Sequence, residues 1–356
     1  MEYANFIAHC IEIARRGEYY VAPNPMVGAV LVSNSDERIL AEGWHEKYGE
    51  GHAEVNCFRN YELKIKNDEL KEVSLKDCTL FVSLEPCSHY GKTPPCAKLI
   101  IEKGVGRVVV GMLDPNPLVA GRGVAMLREA GIEVVVGVME EECRALNKRF
   151  LCLHEQHRPY VVLKWAQTGD GFIDRKRAYP LPLHEGKGEH LNGALAISTA
   201  ETKRLVHKMR AENMAIMVGT RTVLLDNPGL RTTHWEGRDP IRITVDRHHI
   251  LPSNSRIFAD SNYIVYSDQT DWRDITADLA KRNIHSILVE GGTTLLNHII
   301  ESGIWDEIHV EVAPEIRIGD GVPAPGITLP ERFEEVDGHK LYTIAGTNYC
   351  LCEHRR

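Results

Sequence analysis

The chain has 356 residues, of which 43% are hydrophobic and 26% are charged, with 42 basic and 50 acidic side chains and a formal net charge of −8. This length suffices for about two domains of ordinary size, each able to bury its own core. Because duplex-binding proteins carry an excess of basic side chains to displace counterions, the acidic balance argues against a nucleic-acid partner and favours small-molecule chemistry.

Neither a membrane span nor a secretory signal is visible in the sequence. The longest uncharged apolar runs, such as residues 26–32, are far shorter than the roughly 20 residues that a bilayer requires. Residues 1–5 carry no basic flank ahead of an apolar segment. The cysteine count of 9 is odd and scattered over a long chain, which fits reduced thiols and metal ligands better than a disulfide framework. We therefore expect a cytoplasmic protein.

The first half of the chain alternates helical and strand patterns. A helical period over 4–16 precedes two apolar runs at 27–32 and 39–42, and the polar turn between these runs predicts a hairpin. The elements that follow are a helix at 52–60, a strand at 79–83, a helix at 96–103, a strand at 107–112, a helix at 123–130, a strand at 133–138 and a helix at 140–151. This order predicts a mixed sheet with helices on its faces.

A polar stretch at 154–159 ends in proline, and we place the domain boundary there, with domains at 1–153 and 158–356. Beyond it the alternation restarts. The predicted elements are strands at 160–165, 214–218, 241–245, 263–266, 286–289 and 307–312 and helices at 199–210 and 293–302. Residues 174–193 lack periodicity and are rich in Gly, Pro, Lys and His, which predicts a surface loop.

His52, Glu54, Cys87 and Cys96 form the most informative pattern of the chain. One imidazole and two thiolates bind a catalytic zinc and leave its fourth position open. Zinc base deaminases have this His-x-Glu and Pro-Cys signature, in which the glutamate is an acid/base group and not a ligand. Taken singly, such residues are usually ordinary core thiols and a core histidine. Together they predict Zn²⁺ held by His52, Cys87 and Cys96, with Glu54 catalytic.

Residues 1 to about 150 resemble the cytidine-deaminase superfamily, and two runs resemble its bifunctional riboflavin-biosynthesis deaminase/reductase branch. These runs are APNPMVG at 22–28 and EPCSHYGKTPPC at 85–96, and DPNP at 114–117 and GRG at 121–123 continue the match. The spacing between the two cysteines is longer than in nucleoside and tRNA deaminases. The resemblance implies an α/β fold whose N-terminal domain is cytidine-deaminase-like and three-layered.

The same branch implies substrate contacts near the metal. His89, Lys92 and Thr93 lie in the long loop between the cysteines, where they would bind a substrate phosphate. Asn24 stands between two prolines that stiffen its backbone, and it would contact the pyrimidine ring. The alternatives are a solvated turn for the loop and a plain turn residue for Asn24.

Residues 160–356 resemble the reductase half of the same family, which has a dihydrofolate-reductase-like fold. The matching segments are LKWAQ at 163–167, DG at 170–171, RAE at 210–212, VGT at 218–220, DNP at 226–228 and VEGG at 289–292. The last segment follows a predicted strand and opens a predicted helix, where small residues let backbone amides approach a pyrophosphate. Alone, a Gly-Gly pair at this place would indicate a tight turn.

The resemblance implies NADPH as the second cofactor. The residues implied at the dinucleotide are Gln167, Thr222, Asp226, Gly292, Thr293, Thr294 and Leu295, and those implied at the ribose phosphate substrate are Lys164, Arg210, Leu230 and Glu290. Arg247 would meet the 2′-phosphate of NADPH, with a plain exposed arginine as the alternative. The chain departs from the family pattern at Ala196 and Thr233, where many members carry tryptophan and arginine. Arg231 is a candidate substitute for the missing arginine.

The function implied by the resemblance is a two-step enzyme of riboflavin synthesis. It would deaminate 2,5-diamino-6-ribosylamino-4(3H)-pyrimidinone 5′-phosphate by zinc-dependent hydrolysis and then reduce the ribosyl side chain to ribityl with NADPH. Its partner would be this phosphorylated pyrimidine, and we expect it to bind neither nucleic acid nor a membrane. The sequence leaves open whether the chain forms a homo-oligomer.

Two alternatives compete with this function. A nucleic-acid or nucleoside base deaminase with an unrelated C-terminal domain is disfavoured by the acidic charge and the long inter-cysteine loop. A non-enzymatic zinc module, closed by a fourth protein ligand, is disfavoured by the glutamate beside the histidine ligand.

Overall fold

A computed structural model describes residues 2–89, 94–116, 120–176, 195–268 and 271–346. The chain divides into two compact units, Met1–His157 and Arg158–Arg356. Each unit contains a sheet of its own. None of the helices in the described ranges combines the length and the apolar character that a membrane crossing requires.

The N-terminal unit is built on a five-stranded mixed sheet. Its strands are β1 (Gly28–Ser33), β2 (Ile39–Trp44), β3 (Cys78–Leu84), β4 (Arg107–Met112) and β5 (Glu133–Val136), and they lie in the order β2-β1-β3-β4-β5. Strand β1 is antiparallel to β2 and β3, whereas β3, β4 and β5 run parallel. The predicted hairpin and mixed sheet are confirmed.

Helices cover both faces of this sheet. They are α1 (Tyr3–Ala14), α2 (Ala53–Lys66), α3 (Cys96–Lys103), α4 (Arg122–Glu129), α5 (Glu140–Leu146) and α6 (Lys148–Gln156). Successive strand residues point to opposite faces, so Ala29 and Leu31 share a core with α2, α3 and α4, whereas Val30 and Val32 share one with α1, α5 and α6. The unit therefore has three layers, as expected.

The single helix predicted over 140–151 is wrong, because the chain forms two helices that meet at Asn147. The Asn147 side chain is buried and bonds to both backbone groups of Met26: its Oδ1 accepts from the Met26 amide at 2.8 Å, and its Nδ2 donates to the Met26 carbonyl at 2.9 Å. These bonds span 121 positions of the chain. Long-range contacts of this kind override local helix propensity.

The C-terminal unit contains an eight-stranded sheet and a separate pair of short strands. The sheet strands are β6 (Tyr160–Thr168), β8 (Ala215–Val218), β9 (Ile241–Val245), β10 (Tyr263–Tyr266), β11 (Ser286–Val289), β12 (Glu307–Ala313), β14 (Glu334–Val336) and β15 (His339–Ala345), and the pair is β7 (Phe172–Asp174) with β13 (Val322–Pro323). The sheet order is β10-β9-β8-β11-β6-β12-β15-β14. Strands β6 and β8 to β12 run parallel, and β15 is antiparallel to β12 and β14. All six predicted strands are present.

The helices of this unit are α7 (Ala200–Glu212), α8 (Thr220–Asp226), α9 (Trp272–Lys281) and α10 (Thr293–Ser302). Helices α9 and α10 pack on the sheet through Trp272, Ile275, Leu279, Leu296 and Ile299. Helices α8 and α9 were not among the predicted elements, and neither were β7 and β13 to β15. Most of the surface loop predicted at 174–193 lies outside the described residues, which resume at position 195.

Candidate active sites

Three potential metal ligands converge in the N-terminal unit. His52 caps the N-terminus of α2, Cys87 follows β3 and Cys96 opens α3. His52 Nδ1 lies 3.6 Å from Cys87 Sγ and 3.4 Å from Cys96 Sγ, and the three donor atoms lie within 4.8 Å of one another. Tetrahedral zinc with ordinary Zn–S and Zn–N bonds separates such nitrogen and sulfur atoms by about 3.6 Å. The donor set and its spacing therefore fit zinc.

The surroundings of Cys87 favour its thiolate form. The backbone amide of Cys96 donates to Cys87 Sγ at 3.3 Å, and the amide of Ala97 donates to the Cys87 carbonyl at 3.1 Å. Hydrogen bonding from the Cys96 thiol, together with contact with His52, outweighs burial and lowers the pKa of Cys87 to about 4. A thiol that is already ionised loses no proton on binding a metal.

Glu54 lies in the first turn of α2, two positions beyond His52, and the residue is only 3% exposed. It is outside the group of three potential ligands. Burial raises the pKa of the Glu54 carboxyl above its ordinary value, although the neighbouring His52 opposes that shift. A buried carboxyl beside a metal centre has the position that proton transfer to a bound ligand requires.

His45 connects Asn24 to the metal centre through a hydrogen bond on one side and a ring contact with His52 on the other. Asn24 Nδ2 donates to His45 Nε2 at 3.0 Å, and His45 Nδ1 donates to the Gly51 carbonyl at 3.0 Å. The His45 ring stands edge-on to that of His52, with centroids 5.5 Å apart. The structure thus brings Asn24 to this centre. Sequence reasoning missed His45, whose sole signal was a histidine after a predicted strand.

Glu85 is a second buried residue that sequence reasoning missed. Its carboxylate accepts from the backbone amides of Asp114 at 3.1 Å, Gly121 at 2.9 Å and Val124 at 3.1 Å. It thereby joins the end of β3, two positions before Cys87, to the N-terminus of α4. This anchoring holds one edge of the metal centre in place.

The loop between the two cysteines is described only in part. His89 is exposed and lies two positions beyond Cys87. Lys92 and Thr93, the other predicted phosphate ligands, lie outside the described residues.

The C-terminal unit contains a cavity of about 1190 Å³. Its wall includes the middle of β6 and the carboxyl ends of β8, β9 and β11, and ligands bind at such carboxyl ends in open α/β sheets. The predicted residues that line it are Lys164, Arg210, Thr222, Asp226, Arg247, Glu290, Gly292, Thr293, Thr294 and Leu295. Gln167 and Leu230 are not among the lining residues: Gln167 Oε1 accepts from the Trp165 indole at 2.9 Å, and the Leu230 side chain is buried.

The N-terminus of α10 opens into this cavity. Gly292 is its N-cap, and a Cβ at this position would meet only the Thr222 hydroxyl, at 3.9 Å. Gly292, Thr293 and Thr294 all line the cavity, so the first turn of α10 faces the space that a ligand would fill. Such an uncovered helix N-terminus fits the pyrophosphate of a dinucleotide.

Arg210 and Glu290, both predicted to bind substrate, also bind each other. Arg210 donates to the two carboxylate oxygens of Glu290 at 2.9 and 2.7 Å and to the Arg231 carbonyl at 3.1 Å. Burial would raise the pKa of Glu290, but the charge of Arg210 holds it below its ordinary value. The guanidinium of Arg231 lies 2.8 Å from the Asp260 carboxylate.

Comparisons with known proteins agree with the division of the chain into two units. Residues 1–112 match the family of the cytidine and deoxycytidylate deaminase zinc-binding region, and residues 159–341 match the RibD C-terminal domain family. The chain thus joins a zinc-binding deaminase domain to a reductase domain, which defines the class of bifunctional deaminase/reductases. The expected fold class is confirmed, including the cytidine-deaminase-like first domain and the dihydrofolate-reductase-like second domain.

Full-length relatives identify the family. The riboflavin biosynthesis protein RibD of Actinobacillus pleuropneumoniae is 36% identical over 90% of this chain and 86% of its own, and that of Aquifex aeolicus is 36% identical over 89% and 88%. The structure of a diaminohydroxyphosphoribosylaminopyrimidine deaminase/5-amino-6-(5-phosphoribosylamino)uracil reductase from Thermotoga maritima matches with a TM-score of 0.81 at 34% identity, covering 97% of this chain and 98% of the other. The chain belongs to the RibD family of riboflavin-biosynthesis deaminase/reductases.

Proposed function

We propose that the N-terminal unit deaminates 2,5-diamino-6-ribosylamino-4(3H)-pyrimidinone 5′-phosphate and that the C-terminal unit then reduces the ribosyl side chain of the product with NADPH. The observation that carries this proposal is the pairing, in one chain, of the His52-Cys87-Cys96 centre with a cavity that receives the N-terminus of α10. The relative from Thermotoga, which is named for these two activities, matches this chain across both units.

In the first step, water adds to the amino-bearing ring carbon and ammonia leaves. His52, Cys87 and Cys96 would hold zinc, which when bound would act as a Lewis acid and make water nucleophilic near neutral pH. Glu54 takes one proton from the attacking water and passes it to a ring nitrogen, and it then takes the remaining hydroxyl proton and passes that one to the departing amine. The breaking of the carbon–nitrogen bond leaves a ring carbonyl, so the step is a hydrolysis.

Substrate positioning in this step falls to the residues around the centre. We assign Asn24 to the pyrimidine ring, and its hydrogen bond to His45 beside His52 supports that assignment. We assign His89, Lys92 and Thr93 to the phosphate, because they follow Cys87 directly in the chain.

In the second step, the bond between C1′ and the ring oxygen of the ribose opens, a hydride adds to C1′ and the oxygen takes a proton. NADPH supplies the hydride. We assign Thr222, Asp226 and the first turn of α10 from Gly292 to the dinucleotide, and Arg247 to the 2′-phosphate, since all line the cavity. Lys164, Arg210 and Glu290 line the same cavity, and we assign them to the substrate.

Product analysis tests the whole proposal. The full chain is incubated with the diaminopyrimidine substrate, with and without NADPH. We expect ammonia release in both samples and a ribityl product only in the sample with NADPH. Ammonia release from cytidine or tRNA, with none from the diaminopyrimidine, would favour a base deaminase and contradict the proposal.

A further inference from the structure

A buried ionic cluster lies beside the reductase cavity, and none of the contacts assigned above explains it. Lys164, Glu311 and His339 stand on the adjacent strands β6, β12 and β15. Glu311 is paired with Ala166 on one side and with Leu341 on the other. Because side chains alternate along a strand and paired residues share a face, the three charged side chains lie on one face of the sheet.

Glu311 is the centre of this cluster. Its Oε2 accepts from the Ser198 hydroxyl at 2.6 Å and lies 3.5 Å from Lys164 Nζ, and its Oε1 accepts from His339 Nδ1 at 2.8 Å. The Glu311 side chain is only 2% exposed, and those of Lys164 and His339 are each 12% exposed. Both carboxylate oxygens are thus bonded, and water has little access to them.

The Glu311 carboxylate keeps its charge despite this burial. Desolvation alone would raise the pKa of Glu311, but the Lys164 charge and the hydrogen bond from Ser198 hold it below its ordinary value. Since buried ion pairs are often no more stabilising than well-packed apolar residues, stability alone does not account for this one.

Two members of the cluster line the cavity, Lys164 and Ser198, whereas Glu311 and His339 lie behind them. We propose that Glu311 is a positioning residue for the reduction: it fixes the Lys164 ammonium in the cavity wall, while Ser198 and His339 fix its own two oxygens. This inference rests on the proposed reductase function of the unit. A fixed ammonium places a positive charge beside the bound substrate without any reorganisation during the reaction.

The variant Glu311→Gln tests this role, because it keeps the shape of the side chain and removes its charge. We expect kcat for reduction to fall about 10- to 100-fold, as is typical when a catalytic constellation is displaced by about 1 Å. The dissociation constant of NADPH and the deaminase activity of the same full-length chain should stay within about twofold of wild type. The matched control is Glu307→Gln, which removes a carboxylate from the same strand outside the cavity wall.

A second readout does not depend on catalysis. Acetic anhydride acetylates lysine side chains that are free to reach it, so loss of the Glu311 contact should raise the acetylation rate of Lys164, which peptide mass spectrometry follows. We expect an increase of at least about threefold in Glu311→Gln and none in Glu307→Gln, because only Glu311 holds the Lys164 side chain by an ionic contact. His339→Gln, which retains a hydrogen-bond donor, should disturb both readouts less than His339→Leu.

The outcomes separate the inference from the proposed function. Unchanged kcat and unchanged Lys164 acetylation in folded Glu311→Gln would overturn the positioning role. An equal loss in Glu307→Gln, or loss of NADPH binding in Glu311→Gln, would also overturn it, because either result indicates general damage to the unit. Should Glu311→Gln fail to fold, the same readouts in the two His339 variants decide the question. Absence of reduction by the wild-type chain would instead contradict the proposed function, while the acetylation rates would still test the Glu311 contact.

Discussion

The two catalytic units assemble their sites in different ways. The deaminase centre depends on three donor atoms from two short segments, and those atoms lie within 4.8 Å of one another. The reductase cavity of about 1190 Å³ is lined by residues from strands and helices spread over most of its unit. A metal demands particular donor atoms at set distances, whereas a dinucleotide is held largely by backbone amides and by shape. We therefore expect the metal centre to be sensitive to the loss of a single donor atom, and the cavity to be sensitive to side chains that fill it.

Removal of the metal should have the largest effect in this comparison. We expect about one zinc per chain, because one imidazole and two thiolates form a single catalytic site. Chelation should abolish deamination and leave reduction of the already deaminated substrate intact. Metal analysis of the purified protein, followed by both assays, checks this. Full ammonia release by a verified zinc-free sample would contradict the metal role.

Glu54→Gln tests whether Glu54 is the acid/base residue that we propose and not a metal ligand. Deaminase turnover should fall about 10²- to 10⁴-fold, the usual contribution of a positioned proton-transfer group. Zinc content should not change, since Glu54 lies outside the ligand group. Glu62→Gln, on the exposed part of the same helix, is the matched control. Loss of zinc from Glu54→Gln would instead identify Glu54 as a ligand or a folding residue.

Gly292→Val tests whether the cofactor needs an uncovered N-terminus of α10. A branched side chain at this N-cap would cover the amides of α10, so we expect the dissociation constant of NADPH to rise at least about tenfold, or about 1.4 kcal/mol. Gly326→Ala is the control, because a Cβ there meets nothing within 4 Å. Fluorescence titration with NADPH measures both variants. Unchanged affinity in Gly292→Val would remove the α10 N-terminus from the cofactor site.

Asn147→Ala should have the smallest effect, because it acts on the deaminase site only through the backbone of Met26. Loss of both hydrogen bonds should loosen the segment that carries Asn24 and raise KM for deamination by about threefold to tenfold, at a stability cost of about 1–3 kcal/mol. The control is Asn60→Ala, which removes a partly buried hydrogen bond from Asn60 to the Glu42 carbonyl elsewhere in the unit. This variant should leave KM unchanged. Steady-state kinetics and thermal unfolding measure the two variants. If the two variants have the same KM for deamination, Asn147 does not act on the site through the segment that carries Asn24.

The metal centre could be predicted from sequence because its donors are rare residue types at a restricted spacing. The residues that support it could not. Asn147 stands within a run that has good helical character, and only its bonds to a segment 121 positions away reveal the break between α5 and α6. His45 and Glu85 likewise acquire their roles from contacts that fold the chain back on itself.

Glu311 illustrates the same limit in the reductase unit. Strand β12 alternates polar Glu307, His309 and Glu311 with apolar residues, a pattern that usually indicates one solvent-facing side. In the structure Glu311 is nevertheless buried against Lys164 and His339. Alternation identifies which residues share a face, but it cannot tell whether another part of the chain covers that face.

The most direct test of the two-site account is a single variant assayed for both reactions. Cys87→Ser removes one of the three proposed zinc ligands in the N-terminal unit and changes none of the residues that line the reductase cavity. The account predicts that this full-length variant releases no ammonia from the diaminopyrimidine substrate but reduces the deaminated compound with NADPH at nearly the wild-type rate. Retained deamination, or loss of both reactions in a chain whose C-terminal unit still binds NADPH, would contradict it.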